Sequence, residues 1–165
     1  MTRGAPTYHI EVDVPSQTLV VHTAGKETMR FRVATARNGV GEGLGSEQTP
    51  RGEHYIRAKI GAGQPANAVF ISRRPTGEIY SLALRTAFPE RDWILTRILW
   101  LCGLERGKNR LGDVDTMRRY IYIHGCPDDD PMGSPGSRGC VKMRNNDIIR
   151  LFDQVPVGTR VTIRS

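Results

Sequence analysis

Two side chains in this sequence have the chemistry of a nucleophile and its base. His124 stands in His124-Gly125, and Cys140 follows sixteen residues later in Gly139-Cys140. A cysteine attacks as the thiolate, and a neighbouring imidazole is the usual means of generating one near neutral pH. Arg138 and Lys142 flank the cysteine, and their positive charge is expected to lower its pKa. A second reading stands beside this one: an unpaired cysteine is often a small buried hydrophobe, and a histidine at a strand end is often structural. Spacing leaves both readings open.

The surrounding elements must bring the two residues together. Tyr120–Ile123 alternates aromatic and β-branched residues and reads as a buried strand. His124 then sits where that strand leaves the sheet, and Gly125 permits close backbone approach. The loop that follows is built from Pro, Gly, Asp and Ser, with Asp128-Asp129-Asp130 read as a solvated run rather than the third member of a triad. Beyond Cys140, Ile148, Ile149, Leu151 and Phe152 recur at helical spacing, so a helix is expected from Asn145 or Asn146 with asparagine as its cap. Its amino end would offer donors and a favourable dipole near the thiol.

Earlier in the chain, Tyr8–Val14 and Met29–Val33 alternate apolar and polar residues and a turn leads from the first into Thr18–Thr23, which predicts a three-strand meander with one buried face. Arg37–Thr49 is Gly-rich but lacks the Gly-Lys-Ser/Thr ending of a phosphate loop, so a mobile loop is expected. Thr49-Pro50-Arg51-Gly52 turns into a strand over Glu53–Ile60, and Val69–Ser72 and Ile79–Leu84 read as short strands. Asp92–Leu104 is apolar nearly all round and reads as a buried helix. Residues 85–119 are accordingly expected to form an insertion beside the cleft, either a lid or a wall.

With 165 residues the chain is expected to form one domain, spanning 1–165. Its eighteen Gly and ten Pro suit a turn-rich β fold, and its formal charge of +7 suits an anionic partner. Cationic residues are scattered rather than interleaved with aromatics, so nucleic acid is not expected. Three cysteines (Cys102, Cys126, Cys140) make no disulfide framework and carry no metal-ligand spacing. Cys126 is either an incidental loop thiol or a resolving partner for Cys140 under oxidation. The amino terminus has no apolar signal core, and no run reaches the ~18 apolar residues of a membrane span. As written, the chain is expected to stay in the cytoplasm, as a monomer.

Ser137-Arg138-Gly139-Cys140-Val141-Lys142-Met143, followed by Asn145 and preceded by His124-Gly125, resembles the active-site signature of the L,D-transpeptidase catalytic domain, the YkuD-like family. Leu151–Ile163 is similar to that family's closing helix, turn and last strand, and Thr49-Pro50-Arg51-Gly52 to another of its signatures. Before Gly-Cys the family most often has His where this chain has Arg138, and two residues after the Cys most often Arg where it has Lys142. The resemblance implies a mainly β fold, a small curved sandwich or barrel-like sheet with one or two helices. It also implies that Cys140 attacks the diamino acid–D-Ala bond of a peptidoglycan stem tetrapeptide. D-Ala then leaves, and the thioester passes to an amine of a neighbouring stem, giving a 3→3 cross-link.

On the same resemblance His124 is the acid/base, a backbone carbonyl at Ser137 or Arg138 orients it, and Gly125 is counted with them among the oxyanion and orienting residues. Gly139 and Cys140 supply oxyanion donors, and Lys142, Arg144 and Asn145, with Arg138, hold the substrate. No metal or organic cofactor is needed. The family usually works in the cell envelope, which departs from the cytoplasmic expectation. Water in place of the amine would make an L,D-carboxypeptidase. A basic binding module with an inert, buried Cys140 is the alternative from outside enzymes.

Overall fold

The computed structural model describes residues 4–165; the first three, at the start of the stretch read for targeting, lie outside the described residues. The protein is mainly β with two α-helices. The elements are β1 (Tyr8–Asp13), β2 (Thr18–Thr23), β3 (Lys26–Arg32), β4 (Gly52–Ile60), β5 (Ala68–Ile71), β6 (Arg74–Ile79), α1 (Leu82–Ala87), β7 (Ile94–Gly103), β8 (Tyr122–Gly125), β9 (Val141–Met143), α2 (Asn145–Gln154) and β10 (Arg160–Arg164). All strands belong to one open mixed sheet in the order β3-β2-β1-β10-β4-β7-β5-β6, with β8 branching from β7 and β9 from β8. The expected meander is β1–β2–β3, and the last strand returns to pair in parallel with the first, His9 opposite Arg160.

The segment expected as a buried helix is the strand β7, which pairs with β4, β5 and β8. The error has a physical source. ILTRILWLCG is buried on both faces, so its apolar residues run almost without interruption, and such a run cannot be told from a buried helix by period. A register shift between Leu95 and Ile98, with Thr96 at φ 74°, breaks the alternation further. Residues 94–103 of the expected lid are therefore part of the sheet's interior. The other helix is α1, where Ser81 caps the chain by accepting from Leu84 N–H at 3.1 Å; a strand was expected there.

The main core lies where β1, β2 and β10 meet β7, β8, β9 and α2. Leu99, Leu101, Ile123, Val141, Ile148 and Leu151 are fully buried in it. Side chains of this size contribute about 1.5–3 kcal/mol each on burial. No helix among the described residues is long and apolar enough to cross a membrane.

Candidate active site

β8 begins at Tyr122, not Tyr120, whose backbone turns to φ 56° and leaves its ring exposed. β8 lies between β7 and β9, so His124 pairs with Ile98 on one side and Lys142 on the other. It is therefore an interior position and not a strand edge, and His124 is only 1% exposed. Cys140 immediately precedes β9 and is half-buried. Both side chains line one cleft of about 370 Å³, with Ser72, Arg73, Asp92 and Arg119 among its other walls.

His124 Nδ1 lies 2.6 Å from the Gly125 carbonyl. A carbonyl only accepts, so Nδ1 carries the proton and Nε2 is left as the base. Of the residues expected to orient the ring, it is the Gly125 carbonyl that meets it, and not that of Ser137 or Arg138. Ser137 O instead accepts from Arg37 N–H at 2.9 Å, and Arg138 is exposed at the cleft wall with Nη2 3.4 Å from Glu90 O. Gly125 is tightly enclosed: a Cβ there would lie 2.6 Å from Leu95 O and 2.7 Å from Asn145 Oδ1.

The sulfur of Cys140 accepts from Tyr122 N–H at 3.3 Å, and its thiol faces Tyr120 O at 3.5 Å. Burial pushes its pKa up to about 12, against the pull of the Tyr122 amide, and Asp92 pushes the same way. Arg119 and Lys142 pull down more weakly, so the expected depression by flanking cations is overturned by desolvation. Burial likewise lowers the pKa of His124, opposed by Asp92 and the Gly125 carbonyl. Both shifts favour the uncharged forms, a thiol and a neutral imidazole.

The Cys140 loop is fixed by short contacts. Ser137 Oγ donates to Cys140 O at 2.5 Å and accepts from Gly139 N–H at 3.1 Å. Of the two amides expected to hold an oxyanion, Gly139 N–H is therefore occupied. Cys140 N–H has no acceptor among the described residues.

Three expected substrate contacts have other duties. Lys142 Nζ pairs with Asp130 at 2.8 Å, and Arg144 Nη1 donates to Asp128 O at 2.7 Å. Asn145 is buried, donating to Asn67 Oδ1, Cys126 O and Asp128 Oδ1 and accepting from Thr96 Oγ1 at 2.5 Å. Neither Arg144 nor Asn145 lines the cleft. The N-cap of α2 is Arg144, with no side-chain cap bond, and the Asn145 N–H faces Asp128 rather than the thiol.

The aspartate run is not simply solvated. Asp129 and Asp130 both pair with Arg85, and Asp130 also with Lys142. The Gly-rich loop is tied down as well: Arg119 donates to Gly41 O, Ser46 Oγ and Gln48 O, and Arg51 pairs with Glu42. Cys126 is buried with its thiol on Met143 O. The β8–β9 register sets it four residues along from the level of Cys140, roughly 13 Å at the rise of a strand. That exceeds disulfide reach, so the resolving-thiol reading fails in this fold.

Sequence reasoning missed Asp92, which lines the cleft and acts electrostatically on both candidate residues, and Arg119, which sat in a basic stretch read as loop. It also missed the backbone of Tyr120 and Tyr122, which leaves no mark in residue types.

A family profile described as YkuD, L,D-transpeptidase catalytic domain, matches residues 7–163. The chain belongs to this family. A putative L,D-transpeptidase YkuD of Bacillus subtilis is 27% identical over 156 residues, covering 94% of this chain and 65% of that protein. The probable L,D-transpeptidase ErfK/SrfK of Salmonella typhimurium is 51% identical over 45 residues, 27% of this chain and 15% of its own length. Among solved structures, L,D-transpeptidase 3 from Mycobacterium tuberculosis in complex with a faropenem-derived adduct is 14% identical, with a TM-score of 0.61 over 98% of this chain and 61% of that one. This likeness shows the shared fold. The chain spans less than two thirds of the length of each of these L,D-transpeptidases.

Proposed function

We propose that this L,D-transpeptidase family member acts on peptidoglycan tetrapeptide stems and forms 3→3 cross-links through a Cys140 thioester. The observation that carries the reading is the common cleft of Cys140 and His124, with the imidazole oriented so that Nε2 is the free base. The thiol sulfur attacks the carbonyl joining the diamino acid to D-Ala while His124 Nε2 takes its proton. The C–N bond breaks, His124 returns that proton to the leaving amine, and D-Ala departs. An acceptor amine then attacks the thioester carbonyl, gives up a proton to His124, and the thiol is regenerated.

Because burial favours the uncharged forms of both groups, the proposed proton transfer accompanies attack instead of preceding it. Asp92 favours the transient imidazolium. Arg73 and Arg138 on the cleft wall suit the carboxylates of a stem peptide. A second cavity of about 300 Å³ shares Asp92, Ser137 and Arg138 with the first, and the proposal seats the acceptor stem there.

The test is mass analysis of products from a disaccharide-tetrapeptide, beside Cys140→Ala. A cross-linked dimer that needs Cys140 is expected. Tripeptide and free D-Ala without dimer would assign an L,D-carboxypeptidase. No product would favour the binding module.

A further inference from the structure

We propose that Thr49 is the positioning residue of the oxyanion site: its buried hydroxyl holds the Gly139 carbonyl and so aims the Cys140 N–H into the cleft. The inference rests on the acyl-transfer reading above and adds a residue to it.

Thr49 is fully buried, at the end of the Gly-rich loop and ninety positions from Gly139. Its Oγ1 makes two hydrogen bonds, one from Ala36 N–H at 2.9 Å and one to Gly139 O at 2.9 Å. A hydroxyl has one proton and two lone pairs. The Ala36 amide takes a lone pair, so the single proton must go to Gly139 O, and the direction of the bond is fixed. The backbone of Thr49 is itself anchored, with its N–H on Gly39 O at 3.0 Å and its carbonyl accepting from Gly41 N–H at 2.9 Å.

Gly139 O and the Cys140 N–H belong to one planar trans peptide and point to opposite sides of it. Fixing the oxygen toward buried Thr49 turns the N–H away from the interior. Ser137 Oγ holds the next carbonyl, Cys140 O, so the peptides on both sides of the cysteine are set. Gly139 makes this geometry accessible: its φ is 135°, and a Cβ there would lie 3.1 Å from Ile121 Cδ1 and 3.3 Å from Gln48 O. The result is a donor on the same residue as the attacking sulfur, without an acceptor of its own among the described residues. A carbonyl attacked by that sulfur places its developing negative oxygen beside this donor, as nucleophile amides serve acyl transfer in general.

Two electrophiles separate the role from a merely structural one. Release of D-Ala from a disaccharide-tetrapeptide passes through an oxyanion; alkylation of Cys140 by iodoacetamide does not. Thr49→Val is expected to lower kcat by about 10–100-fold, less than the ~10²–10³ for losing a donor outright, with KM and the alkylation rate within about twofold of wild type. Thr49→Ser, which keeps the hydroxyl, is expected near wild type in both.

An unchanged kcat in Thr49→Val overturns the proposal. So does an equal fall in both reactions, which would mean that the thiol itself has moved. If circular dichroism shows that Thr49→Val does not fold, Thr49→Cys, with a weaker donor, is expected to show the same split in smaller degree, and its absence counts against the role equally. Wild-type protein that releases no D-Ala removes acyl transfer and this role with it. Wild-type release matched by Thr49→Val leaves acyl transfer standing and removes Thr49 alone.

Discussion

At the residue scale, the cost of keeping Cys140 and His124 out of water decides how they must work. Desolvation raises the thiol to about 12 and lowers the imidazole, which favours the uncharged pair over a preformed thiolate–imidazolium pair. Alkylation of Cys140 by iodoacetamide should therefore be slow at pH 7 and keep rising through the alkaline range. A plateau below the usual thiol pKa of ~8.5 would contradict this. Turnover should not share that alkaline demand, because the base takes the proton during attack. His124→Ala should slow acylation by about 10²–10⁴-fold, the usual contribution of a positioned base. An unchanged acylation rate and pH profile in that variant would remove His124 from the mechanism. That Cys140 and His124 share one cleft was foreshadowed in the sequence, because their residue types and a short signature single them out as a candidate pair. The raised thiol pKa was not, because charge is written in the sequence and burial is not.

At the scale of elements, buried polar side chains fasten the strands around the cleft. Asn145 ties the start of α2 to Thr96 within β7, to Asn67 before β5 and to Cys126 after β8. Asn145→Ala should cost about 2–3 kcal/mol through the partners it leaves unpaired. The KM for tetrapeptide in the folded fraction should be unchanged; a large rise in KM at unchanged Tm would restore it to the substrate site.

His54, fully buried in β4, shares a 2.9 Å contact with Thr116 Oγ1 and a 3.0 Å contact with Gly52 O. Burial lowers its pKa from 6.5 to about 4. Its neutral form is favoured by the fold, so its contribution is present above pH 6.5 and is lost as pH falls toward 4. Thermal unfolding between pH 7 and 4 should show this loss, and His54→Gln should flatten the slope. An identical slope in the variant would place the acid sensitivity elsewhere. Alternation made β1 and β3 legible, whereas β7, dry on both faces, could not be read that way. The helix α1 was missed because its six residues carry no buried stripe and only the Ser81 cap announces it.

At the scale of the whole molecule, one open sheet gathers distant parts of the chain around a single thiol. Thr49 reaches it from the Gly-rich loop, Asp92 from the approach to β7, Arg119 from the approach to β8, and Ser137 from the loop before β9. A net charge of +7, with Arg73 and Arg138 on the cleft wall against Asp92, accords with the carboxylate-bearing substrate proposed above. The most direct test of the account is the acyl-enzyme itself. Protein mixed with a disaccharide-tetrapeptide, quenched in acid and mapped by peptide mass, should carry the disaccharide-tripeptide acyl group on Cys140, with one D-Ala released per adduct. An adduct on another residue, or turnover that persists in Cys140→Ala, would contradict it.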